Sequence, residues 1–83
     1  MSLEQQFEEA VARSKQLKER PSNDDLLALY ALYKQATSGD AAGDRPGMFD
    51  LVGRAKYDAW AKRQGMTGDA ARQAYVELVA SLE

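Results

Sequence analysis

The run Leu26-Leu27-Ala28-Leu29-Tyr30-Ala31-Leu32-Tyr33 is apolar all the way round a helix, and it lies between two helix breakers, Pro21 and Gly39. A helix with two wet faces does not look like this. Either it is buried on several sides, or one face meets a core and another meets a ligand. Ser22 can cap it, with Asp25 three residues on completing a capping box, and Asp24 and Asp25 complement the helix dipole.

The rest of the chain offers no sheet to bury that helix. Valine occurs only at Val11, Val52, Val76 and Val79, isoleucine is absent, and no stretch alternates apolar and polar residues. Helical spacing is found instead. Leu3, Phe7, Ala10, Val11, Ser14 and Leu17 follow one helix face, and Pro21 closes that element. Asp50 can cap a third helix running to about Gln64, with Gly65 as its stop. Thr67 can cap a fourth, whose stripe is Ala71, Ala74, Tyr75, Leu78 and Leu82. Between the second and third helices, Gly39 to Gly47 is rich in turn formers, and a connection that long is more often functional than not. At 83 residues the expectation is one all-α domain, 1–83, of four helices with one long loop.

Composition narrows the function by exclusion. There is no cysteine, hence no disulfide framework, thiolate nucleophile or sulfur metal site. There is no histidine, the commonest general base and metal ligand. Ser14, Ser22, Ser38 and Ser81 therefore lack an activating partner. The acidic neighbours Asp24/Asp25 and Glu8/Glu9 point to different sides of a helix, as surface acids do. No phosphate-binding glycine loop occurs. The expectation is a binding protein with no catalytic residue, no metal and no cofactor, and not an enzyme. The net charge of −2 gives no reason to expect nucleic acid. The polar N-terminus resembles no signal or transit peptide, and no apolar run approaches the ~20 residues that span a bilayer. These features fit a cytoplasmic protein without stable membrane insertion. No dimer seam is evident, so a monomer is the default.

The informative cluster is basic and aromatic. Tyr30 and Lys34 are four apart and share a face, Tyr33 adjoins Lys34, and Lys56 and Trp60 are again four apart. Lys15 lies late in the first helix. Phenols offer flat faces and a hydroxyl, and lysines offer compact charge suited to phosphate. Spacing alone leaves two readings open. The cluster is either a pocket for a ring-bearing phosphorylated ligand, or half-buried packing tyrosines beside solvated lysines.

The stretch from Pro21 to Asp40, with Tyr33-Lys34-Gln35-Ala36-Thr37 at its centre, resembles the signature of the acyl-CoA-binding protein family. So do Arg45-Pro46-Gly47-Met48-Phe49-Asp50 and Gly53-Arg54-Ala55-Lys56-Tyr57-Asp58-Ala59-Trp60, in the right order and at the right separation. The similarity runs from Phe7 to Leu82 without an evident gap. It implies an up-down-down-up four-helix bundle that binds medium- to long-chain fatty acyl-CoA as an intracellular carrier. By the same resemblance, Tyr33 would stack on the adenine. Tyr30, Lys34 and Lys56 would hold the ribose 3′-phosphate, with Lys15 nearby and Tyr75 helping to enclose the head. Phe7, Ala10, Leu26 and Leu27 would line the acyl groove. The chain departs from the common pattern at Val52, where lysine is frequent, at Arg54 for lysine, at Tyr57 for tryptophan, and at Ser14, where an apolar residue often faces the groove. It also ends at Glu83, without the short basic tail many members carry. The alternative reading is a helical protein-interaction module that offers the Leu26–Tyr33 face to a partner helix.

Overall fold

In the computed structural model, which describes residues 1–83, four side chains start four helices. These are α1 (Leu3–Ser14), α2 (Asn23–Ser38), α3 (Leu51–Ala61) and α4 (Gly68–Leu82), and there is no strand. Ser2, Ser22, Asp50 and Thr67 each accept the backbone N–H three residues on, satisfying a donor the first helical turn would otherwise leave bare.

Three details differ from the sequence reading. The reciprocal capping box forms at Ser2 and Gln5, where Gln5 N–H donates to Ser2 Oγ (3.1 Å) and Ser2 N–H to Gln5 Oε1 (3.0 Å). At Ser22 only the forward bond from Asp25 N–H is made (3.1 Å), because an aspartate at that position is a methylene shorter than the glutamate of the motif. Helix α1 stops at Ser14 and does not reach Leu17 or Pro21. Residues 15–20 hold only one apolar side chain, so a further turn would bury little. Helix α3 ends at Ala61 and tightens into turns, with Arg63 N–H donating to Trp60 O and Gln64 N–H to Ala61 O, before Gly65 at φ +88°.

Helix α2 packs on both α3 and α4, and α1 packs on α4, whereas the α1 and α2 backbones do not approach one another. Side-chain registers give the directions. Tyr30 meets Lys56 and Lys34 meets Trp60, so α2 and α3 run parallel. Phe7 meets Tyr75 and Arg13 meets Glu83, so α1 and α4 run parallel. Ala36, near the end of α2, lies beside Gly68 at the start of α4, so those two are antiparallel. The order is up-down-down-up. Phe7, Ala10, Leu29, Leu32, Ala36, Ala71, Tyr75 and Val79 form the core.

The long loop is pinned by polar groups far apart in sequence. Buried Gln35 donates from Nε2 to Asp40 Oδ1 (2.8 Å) and Met66 O (2.9 Å), and Gly65 N–H also donates to Asp40 Oδ1 (2.8 Å). Trp60 Nε1 donates to Gly39 O (2.7 Å), Tyr57 OH to Gly43 O (3.1 Å), and Arg45 grips Asp58 through two bonds of 2.8 and 2.7 Å.

These bonds favour ionised carboxylates. The Gly65 N–H and the Gln35 amide hold Asp40 below the usual carboxylate range, and the Arg45 guanidinium does the same for Asp58. A folded pKa below the unfolded one contributes stability that is present above about pH 4 and lost as pH falls through the folded pKa. The melting temperature is therefore expected to drop below about pH 4, and less steeply in Asp40→Asn. Parallel pH–melting curves for the two proteins would contradict this.

Candidate functional site

Because α1 and α2 stand apart, side chains close the space between them and leave a groove of about 300 Å³. Its walls are Val11 and Ser14 from α1, Leu26, Leu29, Tyr30 and Tyr33 from α2, and Tyr75 from α4, with Lys15 at one edge. A second hollow of about 320 Å³, bounded by Phe7, Glu8 and Arg72, shares Val11 and Tyr33 with it.

The floor is aromatic. Phe7 stacks on Tyr33 with ring centroids 6.0 Å apart and meets Tyr75 edge-on at 5.1 Å. Tyr75 is buried, and its hydroxyl donates to Ser14 Oγ (3.1 Å), which in turn donates to Val11 O (2.7 Å). The departure at Ser14 thus has a local reason: it receives the polar end of a core tyrosine that would otherwise lie unpaired. Tyr33 is 41% exposed, with its ring open to the solvent side of the groove.

The cations sit on aromatic faces. Lys56 Nζ lies 5.3 Å from the centroid of Tyr30, and Lys34 Nζ lies 4.8 Å from that of Trp60. Each contact crosses from one helix to the other, fixing the α2–α3 register and holding two ammonium groups in place at small energetic cost. Lys15 lines the groove itself, Lys56 reaches the Tyr30 that walls it, and Lys34 is turned to Trp60 on α3. Gly39, Gly43 and Arg45 are tied to α3 beside them by the bonds to Trp60, Tyr57 and Asp58. That bracing was not anticipated from sequence, since its partners lie 13 to 21 residues apart.

Two expected groove residues lie elsewhere. Ala10 is fully buried in the core, small enough to let α1 approach α4. Leu27 lines the opposite cleft with Ala28, Ala31, Ala59, Lys62 and Arg63, because one residue along a helix turns about 100° away from Leu26. In the Leu26–Tyr33 run, Leu29, Ala31 and Leu32 are buried in packing, Leu26, Leu27, Ala28 and Tyr30 are half-buried, and Tyr33 is exposed.

Similarity to known proteins places this geometry. The profile described as "Acyl CoA binding protein" matches residues 4–79. This chain belongs to the acyl-CoA-binding protein family. It is 55% identical over 76 residues to an acyl-CoA-binding protein homolog of Caenorhabditis elegans, covering 92% of this chain and 88% of that protein. It is 51% identical over 83 residues to a homolog from Manduca sexta, covering 99% and 92%. The crystal structure of Oryza sativa acyl-CoA-binding protein 2 superposes with a TM-score of 0.93 at 42% identity, over 98% of this chain and 90% of that one. Acyl-CoA-binding proteins are a binding family, and the four-helix bundle is the fold of their structures. No helix of this member is long and apolar enough to cross a membrane.

Proposed function

We propose that this single-domain chain is a monomeric cytoplasmic carrier of medium- to long-chain fatty acyl-CoA, with no catalytic activity of its own. One observation carries the reading: an apolar groove walled by Tyr30, Tyr33 and Tyr75 and backed by Phe7 has Lys15 at its edge and the Lys56 ammonium held on Tyr30. In this reading the acyl chain lies along Val11, Leu26 and Leu29. Tyr33 offers its open ring to the adenine, and Tyr30, Lys34, Lys56 and Lys15 meet the 3′-phosphate. Tyr75 and Phe7 serve as the floor. The cargo is sequestered, and its thioester meets neither a thiol nor an imidazole, since the chain has none.

Native mass spectrometry of the protein isolated from cells tests the reading. It should carry noncovalent adducts with the masses of acyl-CoA esters. A co-purifying polypeptide without thioester would favour the interaction module instead.

Lys34→Ala is expected to weaken palmitoyl-CoA binding roughly five- to tenfold, about the effect of one partly sheltered charge on a phosphate. The fold should persist, because the lost contact to Trp60 is worth only about 0.5–1 kcal/mol. Unchanged affinity by titration would show that Lys34 does not meet the phosphate.

A further inference from the structure

After Arg45 the chain turns, with Asp50 N–H donating to Gly47 O, and then enters α3. At this corner four apolar side chains face water: Met48 is 68% exposed, Phe49 96%, Leu51 74% and Val52 67%. No other part of the molecule exposes large apolar groups together. Val52 is also the position where the family resemblance led one to expect a lysine, so this chain extends the apolar surface where a charge would have limited it.

The patch stands at the Leu26 end of the groove. Lys56 lies over Tyr30 on parallel helices, so the start of α3, which carries Leu51 and Val52, is at the same end of the bundle as Leu26, which walls the groove. At about 150 Å² per large apolar side chain, the four expose on the order of 400–500 Å², the size of a functional patch on a monomer. A stable dimer needs about 800 Å² from each partner. A second copy would also need a socket for the projecting Phe49, and the roomiest of the clefts described, which has Leu17 and Leu82 in its walls, is rimmed by four charged side chains, Arg13, Lys18, Glu19 and Glu83. A bilayer needs no socket.

We propose that Met48, Phe49, Leu51 and Val52 form a tip that inserts into the interfacial layer of a lipid bilayer and sets the Leu26 end of the groove against lipid. The acyl-CoA reading supplies the use: a hydrocarbon chain passes between membrane and groove along apolar surface. The charges around the tip cancel, with Asp44, Asp50 and Asp58 against Arg45, Arg54 and Lys56, and Arg45 is already paired with Asp58. Docking is therefore hydrophobic and requires no anionic lipid.

Flotation with phosphatidylcholine vesicles tests it, comparing the parent chain with a Phe49→Ser/Leu51→Ser variant. Both sites are exposed, so the variant should keep its helical circular dichroism. The parent is expected to float equally at about 0.1 and 0.5 M salt. The variant should lose roughly tenfold or more in partitioning, while binding palmitoyl-CoA in vesicle-free solution as the parent does. Three results would overturn the proposal: no flotation of the parent, equal flotation of the variant, or flotation only on anionic vesicles at low salt. A concentration-dependent dimer dispersed by the variant would assign the patch to a second copy and overturn it too. If the parent floats but neither protein binds palmitoyl-CoA, docking stands and the carrier reading fails.

Discussion

Phe7→Ala is expected to destabilise the protein by about 3–5 kcal/mol, the usual cost of emptying a buried aromatic site. The ring packs against two others, Tyr33 and Tyr75, and the Arg72 guanidinium lies 6.0 Å from its centroid. Losing these pairs adds to the cavity cost. A domain of this size has only about 4–12 kcal/mol in hand, at ~0.05–0.15 per residue. The substitution therefore takes a large share, and the melting temperature should fall by roughly 15–30 °C. Phe7→Leu refills most of the volume and should cost less than half as much. Urea unfolding of the three proteins measures the difference. A loss under about 1 kcal/mol for Phe7→Ala would mean that the groove floor is not part of the core.

The second large effect concerns the ligand. Burying about ten acyl methylenes at about 0.8 kcal/mol each gives roughly 8 kcal/mol before ordering costs. One adenine stacked on Tyr33 is worth about 1–3 kcal/mol, and each exposed lysine–phosphate pair about 1. The acyl chain should therefore set most of the affinity, and the head group the specificity. Even if half the burial term is lost to ordering the chain, palmitoyl-CoA should bind about a thousandfold more tightly than free CoA. Affinity should rise with chain length until the hydrocarbon fills the groove. A flat length series would place the acyl chain outside it.

Local chemistry was the legible part. The caps at Ser22, Asp50 and Thr67 and the stop at Gly39 follow from side-chain type and position alone. The Ser2–Gln5 box has the same local character, a serine followed three residues on by glutamine ahead of an apolar stripe. The end of α1 was misplaced because Pro21 forbids helix only just before itself, while the missing burial after Ser14 depends on what α4 can cover. For the site, Tyr30–Lys34 and Lys56–Trp60 were visible as pairs along each helix. That they exchange partners across the α2–α3 seam is a tertiary fact that no local spacing encodes. Ala10 and Leu27 show the same limit. Periodicity tells which face a residue is on, but not how deep it lies or which of two clefts a neighbouring position enters. The loop attachments from Arg45, Tyr57 and Trp60 were hidden for the same reason.

The central claim is that the groove and the cation–aromatic rim act together on one molecule, an acyl chain joined to a nucleotide. Isothermal titration of the same protein with palmitoyl-CoA, free CoA and palmitate tests it most directly. The account predicts tight one-to-one binding of palmitoyl-CoA and far weaker binding of each half alone. Equal affinity for palmitate and palmitoyl-CoA would contradict it.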